Sequence, residues 1–167
     1  PIAGVAWLLA PPGWPARGLG AIAALPLFFW PGERPTAGAL WVTALDVGQG
    51  AAVVIETREQ VWLYDTGPRY SRDTDAGARI VLPYLRSRGI AAIDGMVVSH
   101  LDQDHSGGAA SIVRGMPVAR ILTSVTPGHP VLGDHPTVER CSADMAAGGG
   151  DLAWHVLHPA VSDYGRR

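Results

Sequence analysis

The segment Ser99-His100-Leu101-Asp102-Gln103-Asp104-His105-Ser106-Gly107-Gly108 holds two imidazoles and two carboxylates between His100 and His105. A mixed nitrogen and oxygen ligand set of this kind suits Zn²⁺, Mn²⁺ or Fe, and no thiolate is part of it. Alternate residues of an extended chain face the same way, so His100 and Asp102 point to one side. A following turn lets Asp104 and His105 reach a second point. Such an arrangement suits two ions about 3.5–4 Å apart with a nucleophilic hydroxide between them, which is the chemistry of metal-dependent hydrolysis. Gly107 and Gly108 are expected to let the backbone turn tightly and come close to the metals before a helix begins.

The elements that must position this cluster follow from the pattern on either side. Short β-rich runs at Trp41–Val47, Ala52–Thr57 and Val61–Asp65, punctuated by glycine, predict meandering antiparallel strands. Ala76–Arg88 puts Ile80, Val81, Tyr84 and Leu85 on one helical face, with a kink expected at Pro83 and a stop at Gly89. Gly95–Ser99 reads as a short apolar strand running into the cluster, Gly108–Arg114 as a helix and Val118–Thr123 as another strand. The cluster therefore sits on a strand-to-helix loop. Pro127–Gly150, rich in Gly, Pro and polar residues, is expected to be a long surface excursion, and Leu152–Leu157 a last strand leading to His158-Pro159.

Residues 1–40 differ in kind, with Arg17, Glu33 and Arg34 as their charges and Trp7, Trp14 and Trp30 near the ends of apolar stretches. Leu19–Trp30 is uncharged but shorter than the ~20 residues that span a bilayer, and Ile2–Ala16 is broken by Pro11, Pro12 and Pro15. A truncated last membrane segment is expected here in preference to a proline-rich soluble hairpin. The boundaries drawn are residues 1–38 for this remnant and its linker and 39–167 for a hydrolase domain, the chain being read as an internal fragment of something longer.

Composition excludes some functions. The net charge is −2 and all 13 basic residues are arginine, so there is no chain-wide footprint for nucleic acid and any DNA contact must be local. Cys141, the single cysteine, cannot form an intrachain disulfide and reads as a small buried apolar residue.

His-x-Asp-x-Asp-His resembles the His-x-His-x-Asp-His signature of metallo-β-lactamase-fold hydrolases, with Asp102 in the position of the second histidine. The substitution is similar to that of ComEC-type DNA-uptake proteins. So are Leu45-Asp46-Val47-Gly48-Gln49-Gly50, Tyr64-Asp65-Thr66-Gly67 and Leu157-His158-Pro159. The likeness runs from about Trp41 to the C-terminus, and residues 1–35 look like the end of that family's membrane domain. Ala51 departs from it, since many members carry an acid after the second glycine.

The resemblance implies an α/β fold, the N-terminal portion of a metallo-β-lactamase-like αββα sandwich. It also implies two divalent ions, Zn or Mn, with His100, Asp102, Asp104 and His105 as ligands. Asp104 would also orient the hydroxide. His158, just after a later strand, is preferred to His129 as a further ligand, and His135 and His155 are the other candidates. Asp46 and Gln49 are expected close to the metals as supporting or substrate-positioning groups. Asp65 reads on pattern alone either as a turn stabiliser or as the acceptor that fixes a ligand histidine, and the resemblance favours the latter. No strand-ending Gly-Asp and no later histidine follow His158, so only part of a binuclear site is expected here.

The activity implied is nuclease degradation of one strand of incoming transforming DNA at the bacterial inner membrane. The implied partners are DNA, the membrane through the N-terminal segment and other competence-machinery proteins. Two other readings stand beside it: a hydrolase of a small ester or phosphodiester on the same fold, and a non-catalytic DNA-guiding module.

Overall fold

The computed structural model describes residues 2–27, 32–126, 128–132 and 135–165, with the backbone alone at 147, 148 and 165. They divide into two compact units, Pro1–Gly32 and Glu33–Arg167.

In the first unit, α1 (Ile2–Leu8) and α2 (Arg17–Ala24) pack through small residues. A methyl group on Gly4 would strike Ala23 and Ala24, and one on Gly20 would strike Gly4 and Leu8. Arg17 closes the connection by donating to the Leu8 carbonyl at 2.9 Å. Ile2, Leu9, Leu19 and Ile22 stay exposed. No described helix is long and apolar enough to cross a membrane. Part of the expected apolar stretch, Phe28–Trp30, lies outside the described residues.

The second unit is built on a six-stranded sheet in the order β1 to β6: β1 (Trp41–Ala44), β2 (Val53–Glu56), β3 (Val61–Tyr64), β4 (Gly95–Val98), β5 (Ile121–Thr123) and β6 (Val138–Arg140). The first three strands pair antiparallel, and β3 to β6 pair parallel. Parallel pairing requires crossovers. The first is a π-helical turn (Gly77–Val81) continuing into α3 (Leu82–Ser87), and the second contains α4 (Gln103–Ser106) and α5 (Ala109–Gly115). Pro83 therefore lies in the first turn of an α-helix directly after the widened turn, so the expected kink takes the form of a π-turn. Gly89, at φ 71°, ends the helix as expected, and the Ile90 N–H returns to the Leu85 carbonyl at 2.9 Å.

One sheet face packs on these helices. Val54, Leu63, Met96, Val98 and Ile121 meet Leu82, Leu85 and Ile112, and each large aliphatic side chain buried in this way contributes about 1.5–3 kcal/mol. The other face carries Trp62, Leu122 and Cys141 beneath a hairpin of β7 (Ala146–Gly149) and β8 (Leu152–His155). The Trp62 and Trp154 rings meet edge to face at 4.8 Å. Asp151 at the hairpin turn accepts from Thr57 Oγ1 at 2.6 Å and so ties the hairpin to the β2–β3 turn. Helices, sheet and a second small sheet are thus stacked in the expected order.

Pro127–Gly150 is not the plain surface excursion its composition predicts. It supplies β6, β7 and a buried Leu132, because the edge of a parallel sheet can pair a short polar strand that has no apolar run of its own. The N-terminal end of this unit is tied in as well. Glu56, 1% exposed, lies 3.5 Å from both Arg34 and Arg88, and Arg88 donates to the Glu33 carbonyl at 3.0 Å.

Candidate metal centre

Because β3 to β6 run parallel, Asp65, Ser99, Ser124 and Arg140 all fall at one rim, where the strands' C-terminal ends meet. Open α/β sheets characteristically bind ligands at such a rim. Asp65 is its anchor. It follows β3 at φ 57°, a left-handed conformation that Asp tolerates better than most residues, and it is fully buried. Its Oδ1 accepts from the Ser99 N–H at 2.8 Å, and its Oδ2 accepts from Ser99 Oγ at 2.8 Å and from His105 Nδ1 at 2.7 Å. A buried carboxylate needs such donors, since an unpaired charge away from water is very costly. Next to it, burial and then the Asp65 charge push the Tyr64 phenol up from its ordinary value.

The loop carrying the cluster is strapped down by its backbone. The His105 carbonyl accepts from the Thr66 N–H at 2.8 Å and from Thr66 Oγ1 at 2.9 Å, and the Asp104 carbonyl accepts from the Ala51 N–H at 3.1 Å. Gly50, at φ 131°, is required for this approach, because a methyl there would collide with Asp104. Gly107 and Gly108 have ordinary helical φ values of −58° and −89°. Their role differs from the expected tight turn toward the metals. A side chain on Gly107 would strike Pro68 and Arg69, and one on Gly108 would strike Thr66 and Gly77, so both admit the neighbouring backbone.

Asp102 precedes α4 in extended conformation, yet its carboxylate does not cap the helix. It lies instead 3.4 Å from His100 Nε2, and Asp104 lies 3.7 Å from His105 Nε2. The two imidazoles are 4.2 Å apart between centroids, tilted by 42°. Thus His100, Asp102, Asp104 and His105 form two His–Asp pairs side by side. Among the described residues no group of three His, Cys, Asp or Glu side chains is already arranged to hold an ion. The donor set nevertheless fits divalent metal. His105 uses Nδ1 for Asp65, which leaves its Nε2 lone pair on the solvent side beside a carboxylate.

The structure does not bring the other expected residues into this cluster. His158 follows β8, its side chain is 81% exposed, and its acidic neighbour is Asp163 at 3.8 Å. His129 accepts from the Val131 N–H, His135 bonds the Val118 and Thr137 carbonyls, and His155 is exposed on β8. Asp46, expected close to the metals, is exposed, and its Oδ1 accepts from the Gly48 N–H at 3.2 Å, a turn-stabilising bond. Gln49 is exposed on the same loop, which reaches the centre through Gly50 and Ala51. Two participants were not singled out from sequence, Ser99 and Thr66. Both adjoin a motif residue, and only their hydrogen bonds reveal them.

Comparison with known proteins agrees with this geometry. The profile of the Metallo-beta-lactamase superfamily matches residues 45–138, a span that includes Asp65 and the whole His/Asp cluster. The chain is 40% identical over 82 residues to "Recombination protein 2" of Haemophilus influenzae, covering 49% of this chain and 10% of that protein. It is 35% identical over 71 residues to "Competence protein ComA" of Neisseria gonorrhoeae (42% and 10%) and 28% identical over 93 residues to "ComE operon protein 3" of Bacillus subtilis (48% and 12%). It thus spans only about a tenth of the length of these curated relatives. Among solved structures, the metallo-beta-lactamase SMB-1 in complex with mercaptoacetic acid has a TM-score of 0.51 at 18% identity, covering 72% of this chain and 52% of that one. MEM-A1, a subclass B3 metallo-beta-lactamase from a soil metagenome library, has a TM-score of 0.51 at 20% identity, covering 72% and 51%. With its His/Asp loop on the rim of a mixed sheet, the chain belongs to the metallo-beta-lactamase superfamily, shares the fold of those enzymes, and is similar over part of its length to competence and recombination proteins.

Proposed function

We propose that this domain is a metal-dependent phosphodiesterase that degrades one strand of DNA during uptake, as part of a longer protein at the bacterial inner membrane. The observation that carries the reading is the rim cluster. His105 is fixed by buried Asp65, and His100, Asp102 and Asp104 stand around it, open to solvent. His100 and His105 would offer Nε2, and Asp102 and Asp104 a carboxylate oxygen each, to Zn or Mn, two ions in the intact domain. A divalent ion supplies positive charge that stabilises phosphoryl oxygens and activates water.

The chain's own groups do the rest. Asp104, beside His105 Nε2, accepts a hydrogen bond from the attacking water and orients it. Asp65 holds the imidazole against rotation, and the strapped loop keeps both carboxylates near the reacting phosphate. DNA is the proposed substrate because the chain is similar to recombination and competence proteins, with contacts confined to the rim because the chain is slightly acidic overall. Residues 1–38 are proposed as the end of a membrane segment, supported by their exposed Ile and Leu side chains, and other competence-machinery proteins as partners.

The test is Asp104→Ala in the full-length protein. DNA degradation should be lost and metal content lowered with folding retained, because Asp104 sits in the short α4 at the solvent-facing rim, outside the buried core. Cleavage at the wild-type rate with Mn²⁺ or Zn²⁺ present refutes the assignment. A non-catalytic DNA-guiding module is the second reading, favoured by the lack of a preassembled three-ligand group among the described residues. Full-length protein that purifies without divalent metal and fails to bind it would support that alternative.

A further inference from the structure

We infer that Ser99 is a positioning residue that carries the influence of Asp65 to a second histidine, His100, so that one buried carboxylate sets the tautomer of both imidazoles. The inference rests on the proposed metal-binding role of the cluster and adds a residue to it. Ser99 Oγ lies 2.8 Å from Asp65 Oδ2 and 2.8 Å from His100 Nδ1. A hydroxyl has a single proton. The carboxylate only accepts, so that proton goes to Asp65, and toward His100 the oxygen acts as acceptor. His100 must then carry its proton on Nδ1. The same holds for His105, whose Nδ1 donates directly to Asp65 Oδ2 at 2.7 Å. The result is a single chain of bonds, from His100 Nδ1–H to Ser99 Oγ–H to the Asp65 carboxylate, which also receives the His105 Nδ1–H. The Nε2 atoms of His100 and His105 lie 3.4 Å from Asp102 Oδ2 and 3.7 Å from Asp104 Oδ2.

Ser99 is well held for this task. Its N–H donates to Asp65 Oδ1 at 2.8 Å, and its carbonyl accepts from Ser124 Oγ across the β4–β5 boundary. Neither its backbone nor its hydroxyl can swing away without losing one of these bonds. A serine present only to satisfy Asp65 would not need to meet an imidazole as well.

The experiment reads the tautomers in the metal-free full chain, by long-range ¹H–¹⁵N correlation of the histidine rings above their titration range. The wild type should show the Nδ1–H form at both His100 and His105. In Ser99→Ala, His100 should pass to the Nε2–H form while His105 keeps Nδ1–H, and Ser99→Thr should restore His100. Zn²⁺ alone, titrated against a chelator, should bind Ser99→Ala about 10-fold or more weakly than wild type, the range expected for loss of a group that orients a ligand. An Nε2–H proton on His100 in the wild type overturns the inference, as does a His100 tautomer unchanged by Ser99→Ala. Should Ser99→Ala fail to fold, the wild type and Ser99→Thr decide the matter. The tautomers are read without substrate, so failure of the nuclease reading would leave this result standing, and the reverse.

Discussion

Replacing Asp65 with Asn isolates the electrostatic role of the anchor, because the two side chains have nearly the same shape. Asn also tolerates the left-handed backbone at φ 57°, so no new strain enters. Asn Oδ1 can still accept the Ser99 N–H. At the other position an NH₂ replaces Oδ2 and faces two donors, Ser99 Oγ–H and His105 Nδ1–H. Two charge-assisted bonds worth about 1.5–3 kcal/mol each are lost, and two neutral bonds of about 0.5–1.5 kcal/mol return if both partners reverse, a net loss of about 2–3 kcal/mol. The fold should survive, since a domain of this size is stable by about 5–15 kcal/mol. Reversal at His105 moves its proton to Nε2 and removes a ligand. Urea unfolding of the chain should show the stability loss, and the full-length protein should bind Zn²⁺ or Mn²⁺ about 10–100-fold more weakly. Asp65→Asn protein that unfolds within about 0.5 kcal/mol of wild type, a change typical of neutral surface substitutions, and binds metal equally well would refute this account of the anchor.

Other expectations follow from the same contacts. Gly108→Ala drives a methyl into Thr66 and Gly77 and should destabilise by about 1–3 kcal/mol in thermal or urea unfolding, although Ala is the better helix former. Glu56→Ala takes from Arg88 Nε the carboxylate it faces at 3.5 Å and, because Arg88 stays partly solvated and bonded to the Glu33 carbonyl, should cost about 1–3 kcal/mol; Arg34→Ala, removing the more exposed partner, should cost about 1 kcal/mol or less. Burial and then the Glu139 charge push the Cys141 thiol up from its ordinary value, so less thiolate is present at any given pH. Alkylation of the native chain should therefore be slow at neutral and mildly alkaline pH and accelerate on unfolding, and rapid labelling of the native chain would contradict the buried position.

Local pattern by itself determined the chemistry and most of the elements. Two imidazoles and two carboxylates at this spacing suit a metal-binding loop, an expectation formed without any tertiary contact. The β1–β3 meander, the helix ending at Gly89 and the strand running into His100 follow from periodicity and punctuation over a few neighbouring residues. Other features depend on segments distant in sequence, and only the tertiary structure decided them. Ser99 and His105 meet Asp65 across 34 and 40 residues, and no periodicity records which oxygen receives which proton. Glycine at 107 and 108 looks like a turn signal, yet it is required because Thr66, Pro68 and Arg69 and the start of the π-helical turn at Gly77 press against it. The strand at Val138–Arg140 has no apolar signature, since an edge strand is made by the backbone hydrogen bonds its neighbour offers. Asp46 turns its carboxylate to the Gly48 N–H and His158 lies beside Asp163 for the converse reason: a residue type suited to a role acquires it only if the chain's path brings the side chain within hydrogen-bonding or coordination distance.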